Sequence, residues 1–430
     1  MAHAPKTLLI FSQVFLPDPA SVGQHMADVA IAMRRRGHRV VVYASNRGYE
    51  DPNRHYLPRE NIEGVDVRRL TFSSFGKASI LKRLLGTVSF MVQCFFIALT
   101  SWHVDGILFS TSPPMVGFVV SVAAMMRRIP TAYWAMDLNP DQLIALGKIK
   151  RNSVASHFLQ RINRFILQRT SLVVALDRFM AGRLKESARL DSKLVVIAPW
   201  PHENHVHDVP RSENPFVARH HLLDRFVIMY SGNHSPSNPL DTLLHATLRF
   251  RDDPRIRFLF VGGGLCKRDV ERFINEHSLT NVVSLPYQPL ADLSNSLSAA
   301  DVHVVSLGEQ MVGIIHPCKI YGAMTVGRPV LFFGPSPSHV SDLLGAHDFG
   351  WTVAHGDVEQ AVAAIRSAAD TSPEKLRCMG QTALRVMQQQ LTQELLCGQF
   401  CQALEEKLQL AAPSVDCPSK EPAPCEPCLS

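Results

Sequence analysis

The chain has 430 residues, more than one hydrophobic core ordinarily organises, so two domains are expected. Its 46% hydrophobic and 19% charged content is typical of a globular protein and excludes a mostly disordered chain. The net charge of +6 hides an asymmetry: residues 1–200 carry 26 Lys/Arg against 13 Asp/Glu, which leaves 18 against 25 for the remainder. A basic first half favours an anionic partner, either a phosphate-bearing substrate or an anionic membrane surface.

The N-terminal region reads as a βαβ unit. A buried strand is predicted over residues 6–12, a helix over 25–36 and a second strand over 39–44. The apolar run at the start of the chain is too short for a signal peptide. Gly23 lies in the loop before the helix, where it would let the backbone approach a ligand at the helix start. A simple tight turn explains this glycine equally well.

Residues 86–101 form an apolar stretch, GTVSFMVQCFFIALTS, preceded by Lys82 and Arg83. Its 16 residues fall short of the roughly 20 that span a bilayer, and Gln93 interrupts it. We therefore expect a core helix, or one that lies at the bilayer surface.

The strand TAYWAMD ends at Asp137, which makes this carboxylate a candidate site residue. Ligand groups in parallel sheets lie just beyond the carboxyl ends of strands. The alternative is that Asp137 caps the following turn. Alternating helices and strands continue to Pro199–Pro201, which looks like the exit from the first domain, and residues 202–225 read as a linker.

The second half repeats the βα pattern, so two Rossmann-like domains that face each other are expected. A final helix over residues 373–410 is long enough to cross back to the first domain. Within the second half, a helix is predicted to begin just after Pro317 and to end at Gly327, before an apolar strand. Lys319 lies at that helix start, where backbone N–H groups and one cation would face a diphosphate. An ordinary αβ unit with a solvated lysine is the alternative.

Nine cysteines occur, and six of them are scattered through the body of the chain, as suits a reducing cytosol. The other three lie in a Pro-rich tail over residues 411–430, which we expect to be disordered. Its Cys425-x-x-Cys428 is only half a zinc site. No RNA-binding aromatic signature or zinc-finger spacing occurs, so nucleic acid is not an expected partner.

Taken together, these motifs resemble those of the retaining GT-B glycosyltransferases of family 4 over nearly all of residues 6–410. The stretch LLIFSQVFLPDPASVGQHMADVAIAMRRRGHRVVVYA is similar to the family's opening. The stretches YSGNHSPSNPLDTLLHA, FLFVGGG, LPYQPLADL, AADVHVVSL and HPCKIYGAMTVGRPVLFFG resemble its donor-binding half. The most similar branch is that of bacterial colanic-acid-type exopolysaccharide transferases, which carries Pro-Ser-Lys where this chain has Pro317-Cys318-Lys319.

The resemblance implies an α/β GT-B fold, with two facing Rossmann-like domains, parallel sheets and a C-terminal crossover helix. It places an acceptor-binding domain at residues 1–205, a donor-binding domain at 206–375, a returning helix at 376–410 and the Cys/Pro-rich tail at 411–430. It implies an enzyme that needs no metal or cofactor. The basic first half and the apolar 86–101 stretch indicate a cytoplasmic location, peripheral on the inner face of the cell membrane. The enzyme would move a sugar, with retention, from a nucleoside-diphosphate sugar to a saccharide or polyprenyl-linked acceptor in exopolysaccharide or cell-surface glycan synthesis.

By the same resemblance, two residues are assigned to catalysis and eight to the donor and its diphosphate. The catalytic pair is Asp137 and Lys319, and the donor-binding set is Gly23, Gly232, Asn233, His234, Gly263, Tyr287, Glu309 and Lys319. Backbone amides at 232–234 are expected to neutralise the diphosphate together with Lys319, and His234 would share the charge. Tyr287 would stack on the donor's base, although a core or rim aromatic is as plausible.

The chain departs from the family pattern at the site. The usual Glu-x7-Glu aligns with Ile314 and Gly322, and the usual Arg and Lys of the donor half align with Asn233 and Asn238. Glu309 could partly replace a lost carboxylate, but an exposed loop charge is the competing interpretation. Two other functions therefore stay open: a nucleotide-sugar 2-epimerase of the same fold, and a non-catalytic nucleotide-binding or scaffold relative.

Overall fold

The computed structural model describes residues 5–18, 20–48, 54–73, 80–202 and 206–410, with the backbone alone at 80–83. The side chains of Lys82 and Arg83 and the Cys/Pro-rich tail lie outside the described residues.

The first lobe is built on a sheet of eight strands in the order β3-β4-β2-β1-β5-β6-β7-β8. Its neighbours pair in parallel except β3 and β4, which are antiparallel. The central strands are almost wholly buried, as a sheet covered on both faces requires. The strands are β1 Thr7–Phe11, β2 Arg39–Ser45, β3 Arg59–Ile62, β4 Val65–Leu70, β5 Gly106–Ser110, β6 Thr131–Trp134, β7 Leu172–Ala175 and β8 Leu194–Val196.

The second lobe has a six-stranded sheet in the order β11-β10-β9-β12-β13-β14, and all of its pairs are parallel. Strand order reverses at β9, so the carboxyl ends of β9, β10 and β12 border one crevice, where open α/β sheets bind ligands. The strands are β9 Phe226–Ser231, β10 Ile256–Val261, β11 Val282–Leu285, β12 Val302–Ser306, β13 Val330–Phe333 and β14 Gly350–Val353.

Helices connect the strands and cover the sheets. Those of the first lobe are α1 Ser21–Arg35, α2 Ile80–Thr100, α3 Val116–Arg127, α4 Asp141–Ala145, α5 Val154–Arg169 and α6 Arg178–Ser187. Those of the second lobe are α7 Pro215–Arg219, α8 Asp241–Thr247, α9 Lys267–Glu276, α10 Leu293–Ser298, α11 Lys319–Thr325, α12 His339–Ala346 and α13 Val358–Ala369. The chain ends with α14 Pro373–Gln390 and α15 Gln393–Lys407.

The C-terminal crossover to the first lobe is confirmed, but it consists of two helices, not the one expected over 373–410. The break follows Leu391, and the Thr392 side chain caps α15 by accepting from the Leu395 N–H. Near its end, α15 places Glu405 against Arg36 and His38 of the first lobe. The Glu405 carboxylate accepts two hydrogen bonds from Arg36, at 2.9 and 2.6 Å, and lies 3.0 Å from His38 Nε2.

Two segments differ from expectation. The apolar helix begins at Ile80 and ends at Thr100, so it is longer than the 86–101 stretch. In the described part of the chain, none of the helices is both long and apolar enough to cross a bilayer. The expected linker at 202–225 contains α7, whose Phe216 and Val217 are buried against the second sheet. The predicted domain boundaries at 205/206 and 375/376 stay predictions.

The two lobes meet at the carboxyl ends of their sheets. The Leu138 N–H donates to the Ile314 carbonyl at 2.9 Å, and Arg183 Nε donates to the Val312 carbonyl at 2.6 Å. Both acceptors lie in the loop between β12 and α11. That loop therefore contacts the first lobe and also leads directly into the helix that begins with Lys319.

Candidate functional site

Two glycine-containing loops meet where β9 and β10 end. Gly232 follows β9 with φ +138°, and Gly262 follows β10 with φ +128°. A Cβ on Gly262 would lie 2.1 Å from the Gly232 carbonyl oxygen, so only glycine permits the loops to touch. The contact forms a shallow backbone floor at the crevice of the second lobe.

Lys319 lies against this floor. A Cβ on Gly232 would be 2.5 Å from the Lys319 Cε, and the Nζ lies 5.6 Å from the centroid of the Tyr230 ring. Among the described residues no carboxylate forms an ion pair with this ammonium. Burial lowers the pKa of Lys319 to about 8, so the group is still mainly charged at neutral pH. An unpaired, partly desolvated cation beside a glycine floor is suited to an anionic ligand.

The backbone amides of the site differ from the expected set. The Gly232 N–H already donates to Val261 O at 2.9 Å, and the His234 N–H donates to Gly263 O at 2.7 Å. The expectation that amides 232–234 all face the diphosphate is therefore wrong for two of the three. Within the described chain the N–H groups of Asn233, Gly263 and Gly264 donate to no protein acceptor. They remain available to a ligand.

His234 is not a second cation, contrary to expectation. Its ring is fully buried against Tyr230, at 5.0 Å between centroids, and its Nδ1 lies 3.1 Å from Gly232 O. Burial, together with the charges of Lys267 and Lys319, lowers the pKa of His234 to about 4. The ring is neutral at physiological pH and serves to pack the loop. Lys319 is left as the cation at this floor, because Lys267 binds the carbonyls of Phe260 and Leu285.

Tyr287 and Gly263 form the next part of the crevice. A Cβ on Gly263 would lie 3.0 Å from the Tyr287 ring, which packs over that glycine and is 56% exposed. An exposed ring over a backbone surface is suited to stacking on the donor's base. This role of Tyr287 stays a prediction.

Two further predicted donor residues, Glu309 and Gly23, have other surroundings. Glu309 is exposed and lines a separate hollow of about 500 Å³ with Asp241, His245 and His355. Its donor role stays a prediction, and an exposed loop charge stays the competing interpretation. Gly23 is buried, and a Cβ there would meet the backbone of Phe15 at 3.1 Å. Close packing of α1 therefore requires a glycine at this position, and the role of Gly23 in ligand approach stays a prediction.

Asp137 lies at the lobe junction. It follows β6 by three residues, and its neighbour Leu138 donates to Ile314 O across the junction. Burial raises the pKa of Asp137 to about 6. None of the hydrogen bonds within the described residues uses its carboxylate to cap α4, so capping does not account for it. A carboxylate with a raised pKa beside an interdomain crevice is a candidate for contact with substrate.

A second polar cluster, which the sequence did not suggest, also links the lobes. His316 Nδ1 lies 2.9 Å from Asp177 Oδ2, and its Nε2 lies 2.7 Å from the Tyr321 hydroxyl. Asp177, His316 and His339 form a group whose possible metal-ligand atoms lie within 4.8 Å of one another. Both nitrogens of His316 already have protein partners, so the cluster is satisfied by hydrogen bonds. Asp177 lies two residues after the end of buried β7, and this position is the signal that could have identified it.

Comparison with protein families gives two matches along the chain. Residues 21–200 match the model described as "Glycosyl transferase 4-like domain", and residues 214–385 match "Glycosyl transferases group 1". A probable glycosyltransferase, WbjE, from Pseudomonas aeruginosa is 26% identical over 78% of this chain and 83% of its own length. A putative colanic acid biosynthesis glycosyl transferase, WcaI, from Escherichia coli K12 is 24% identical over 84% of this chain and 91% of its own.

Solved structures share the fold. Sucrose-phosphate synthase from Thermosynechococcus elongatus superposes with a TM-score of 0.72 at 16% identity, over 94% of this chain and all of that one (100%). Anabaena HepE, in complex with UDP and glucose, gives 0.69 at 16% identity over 93% of this chain and 100% of its own. At these identities the likeness establishes the GT-B architecture, which confirms the expected fold class.

Proposed function

The chain belongs to the group 1 glycosyltransferases, and from that premise we propose that it moves a sugar, with retention of configuration, from a nucleoside-diphosphate sugar to a lipid-linked saccharide. The product would enter exopolysaccharide or cell-surface glycan synthesis, as the name of the relative WcaI suggests. HepE has been solved with UDP-glucose, and this favours a nucleotide sugar as the donor here. We propose that the reaction needs no metal.

The observation that carries the proposal is the position of Lys319. Its ammonium has no carboxylate partner in the described chain and lies beside Gly232, where a larger residue would clash with its side chain. The unused N–H groups of Asn233, Gly263 and Gly264 belong to the same two loops. We assign these groups to the donor diphosphate. Because α11 has only seven residues, the ammonium and the loop amides, rather than the helix dipole, would supply most of the positive potential.

In the proposed reaction, the bond between the sugar C1 and the diphosphate oxygen breaks while the acceptor oxygen bonds to C1 on the same face. The acceptor's proton passes to the departing diphosphate oxygen. Lys319 and the loop amides would stabilise the negative charge that develops on that oxygen, and this lowers the barrier. Asp137 would lie on the acceptor side of the junction and accept a hydrogen bond from a sugar or acceptor hydroxyl.

The test is a calorimetric screen of UDP- and GDP-sugars against the full chain and Lys319→Ala. We expect one donor to bind, and Lys319→Ala to weaken it about ten- to a hundredfold, because a hydrogen bond to a charged group contributes roughly 1.5–3 kcal/mol. The matched control is Lys375→Ala, an exposed lysine on α14. Equal affinity in Lys319→Ala would refute the assignment. Absence of any nucleotide binding would favour the scaffold alternative, and conversion of the donor sugar without an acceptor would favour the epimerase.

We further propose that α2 contacts the membrane. Along this helix, Leu84, Val88, Val92 and Phe96 recur every four residues, and each is about half exposed. The row lies on the basic half of the chain, which complements an anionic bilayer. Liposome flotation with anionic lipid should show binding that Val92→Ser/Phe96→Ser weakens. The control Leu57→Ser, also exposed in the first lobe, should not change it. Binding that ignores the lipid's charge and the α2 variant would reject the contact.

A further inference from the structure

A cavity of about 750 Å³ opens at the junction of the two lobes. The first lobe lines it with Asp141 of α4, Lys150 and Arg151 of the following loop, and Arg183 of α6, and the second lobe contributes Gln310 and Ile314. Ile314 accepts the hydrogen bond from Leu138, the residue after Asp137. The cavity therefore borders the same junction as the candidate catalytic carboxylate, and it is separate from the Lys319 floor.

The cations of this cavity outnumber its carboxylates, three to two. Lys150 and Arg151 are exposed and form no ion pair within the described chain. Arg183 is held across the junction by its Nε, which donates to Val312 O at 2.6 Å. It too forms no ion pair within the described chain, although its charge acts on Asp141. Asp141 and Glu186 also line the cavity and could accept hydrogen bonds from hydroxyl groups. Three cations that form no ion pair, against two carboxylates, leave the cavity with a net positive charge, and its guanidinium groups suit the oxygens of a phosphate.

An apolar surface begins beside these cations. Val154 and Phe158 lie one turn apart at the start of α5, three and seven residues after Arg151, and are 87% and 62% exposed. The same helix contributes Gln160 to the cavity. A polar, cationic hollow next to an exposed apolar helix start matches a molecule with a charged head and a hydrocarbon chain.

We propose that this cavity binds the diphosphate of a polyprenyl-linked acceptor, with Lys150, Arg151 and Arg183 as its ligands and with the lipid chain along Val154 and Phe158. The proposal rests on the proposed function for the identity of the acceptor, but its site is distinct from the donor site. It gives the chain two diphosphate sites, one in each lobe, with the reacting sugar hydroxyl between them.

The test uses two probes, inorganic pyrophosphate and farnesyl diphosphate, titrated calorimetrically into the full chain. All variants carry Lys319→Ala, so that binding at the donor site is already weakened. In this background, Lys150→Ala/Arg151→Ala should weaken farnesyl diphosphate at least tenfold and reduce the salt dependence of its binding. Lys148→Ala, an exposed lysine of the same loop that does not line the cavity, is the matched control and should bind as the background does.

The second arm separates a lipid diphosphate from a free one. Val154→Ser/Phe158→Ser should weaken farnesyl diphosphate severalfold and leave pyrophosphate unchanged. If the Lys150/Arg151 variant binds both probes as the background does, the site is refuted. If pyrophosphate and farnesyl diphosphate bind equally well and neither responds to the serine variant, the lipid part is refuted. If the full chain binds no nucleotide sugar but farnesyl diphosphate still depends on Lys150 and Arg151, the proposed function fails and the diphosphate site stands.

Discussion

At the residue scale, burial causes Lys319 to lose its proton at a lower pH than an ordinary lysine does. Its pKa of about 8 lies below the ordinary lysine value, so the fraction that carries a charge falls as the pH rises from 7 to 9. We expect the affinity for the nucleotide-sugar donor to fall over this interval, and calorimetry at pH 6.5, 8 and 9.5 would measure it. Lys319→Ala should bind weakly with a flatter pH profile. A wild-type affinity that is constant up to pH 9.5 would contradict the assignment.

Asp137 provides a second prediction at this scale. Burial raises its pKa to about 6, so above that pH the folded chain holds a carboxylate whose charge is disfavoured by its surroundings. Asp137→Asn should therefore raise the thermal midpoint at pH 8. The gain should shrink as the pH falls from 6 towards 4, where the wild-type carboxyl takes up its proton in the folded state. Turnover should fall at the same time, because a substrate contact is lost. A lower midpoint at pH 8 would show that Asp137 is structural.

At the scale of single elements, α15 docks through a buried apolar face that includes Phe400 and Leu404, and one carboxylate adds a polar contact. Glu405 is buried, and it binds Arg36 through both oxygens and lies against fully buried His38. Glu405→Ala should lower the free energy of unfolding by roughly 2–3 kcal/mol, the value of hydrogen bonds to a charged group. Urea unfolding followed by circular dichroism would measure it. The neighbouring exposed Glu406→Ala removes only a contact with Gln402 and should change stability by less than about 0.5 kcal/mol.

The elements also show which parts of the site local sequence could predict. The loops after strands β9 and β10 contain Gly232 and Gly263, and Lys319 begins the helix that follows β12. Because these strands are parallel, their carboxyl ends bring the three residues to one edge of the sheet. The role of His234 was not predictable in this way, because its burial and neutral state depend on Tyr230 and on the loop after β10. The surroundings of Glu309 and Gly23 were not predictable for a similar reason: their neighbours come from α8, from the loop after β14 and from the backbone at Val14 and Phe15.

At the scale of the whole molecule, the contacts at the junction between the lobes cannot be predicted from local sequence patterns. Asp177 and His316 are 139 residues apart in sequence, and only the docking of the two sheets brings them together. The same is true of the cavity that joins Arg151 and Arg183 to Ile314. Alternation of strands and helices predicted that two lobes would face each other, but not which side chains would hold them.

The Asp177–His316 contact gives a prediction for lobe closure. Although burial opposes it, the hydrogen bond and charge of His316 lower the pKa of Asp177, so the contact is complete above about pH 4 and is lost as the pH falls further. Asp177→Asn keeps the cap, in which the oxygen Oδ1 accepts from the N–H groups of Phe179 and Met180, but it loses the carboxylate charge. We expect the lobes to separate more readily, with a larger radius of gyration in solution scattering at pH 7.

The control for that experiment is Arg178→Ala. Arg178 also crosses the junction, to Asp342 at 2.6 Å, but both side chains are well exposed, and such pairs contribute about 0–1 kcal/mol. The radius of gyration of the Arg178→Ala variant should match that of the wild type. A change in Arg178→Ala as large as in Asp177→Asn would mean that the buried pair has no special role.

The loop between β12 and α11 touches the first lobe through the carbonyls of Val312 and Ile314 and then continues into Lys319. If the two substrates occupy opposite lobes, this single segment would respond to both of them. Thermodynamic reciprocity requires that, if a bound acceptor raises the affinity for the donor by some factor, a bound donor raises the affinity for the acceptor by the same factor. Positive coupling of this kind would protect the activated sugar from hydrolysis. The donor would bind weakly while water is the available nucleophile, and tightly once the acceptor is bound.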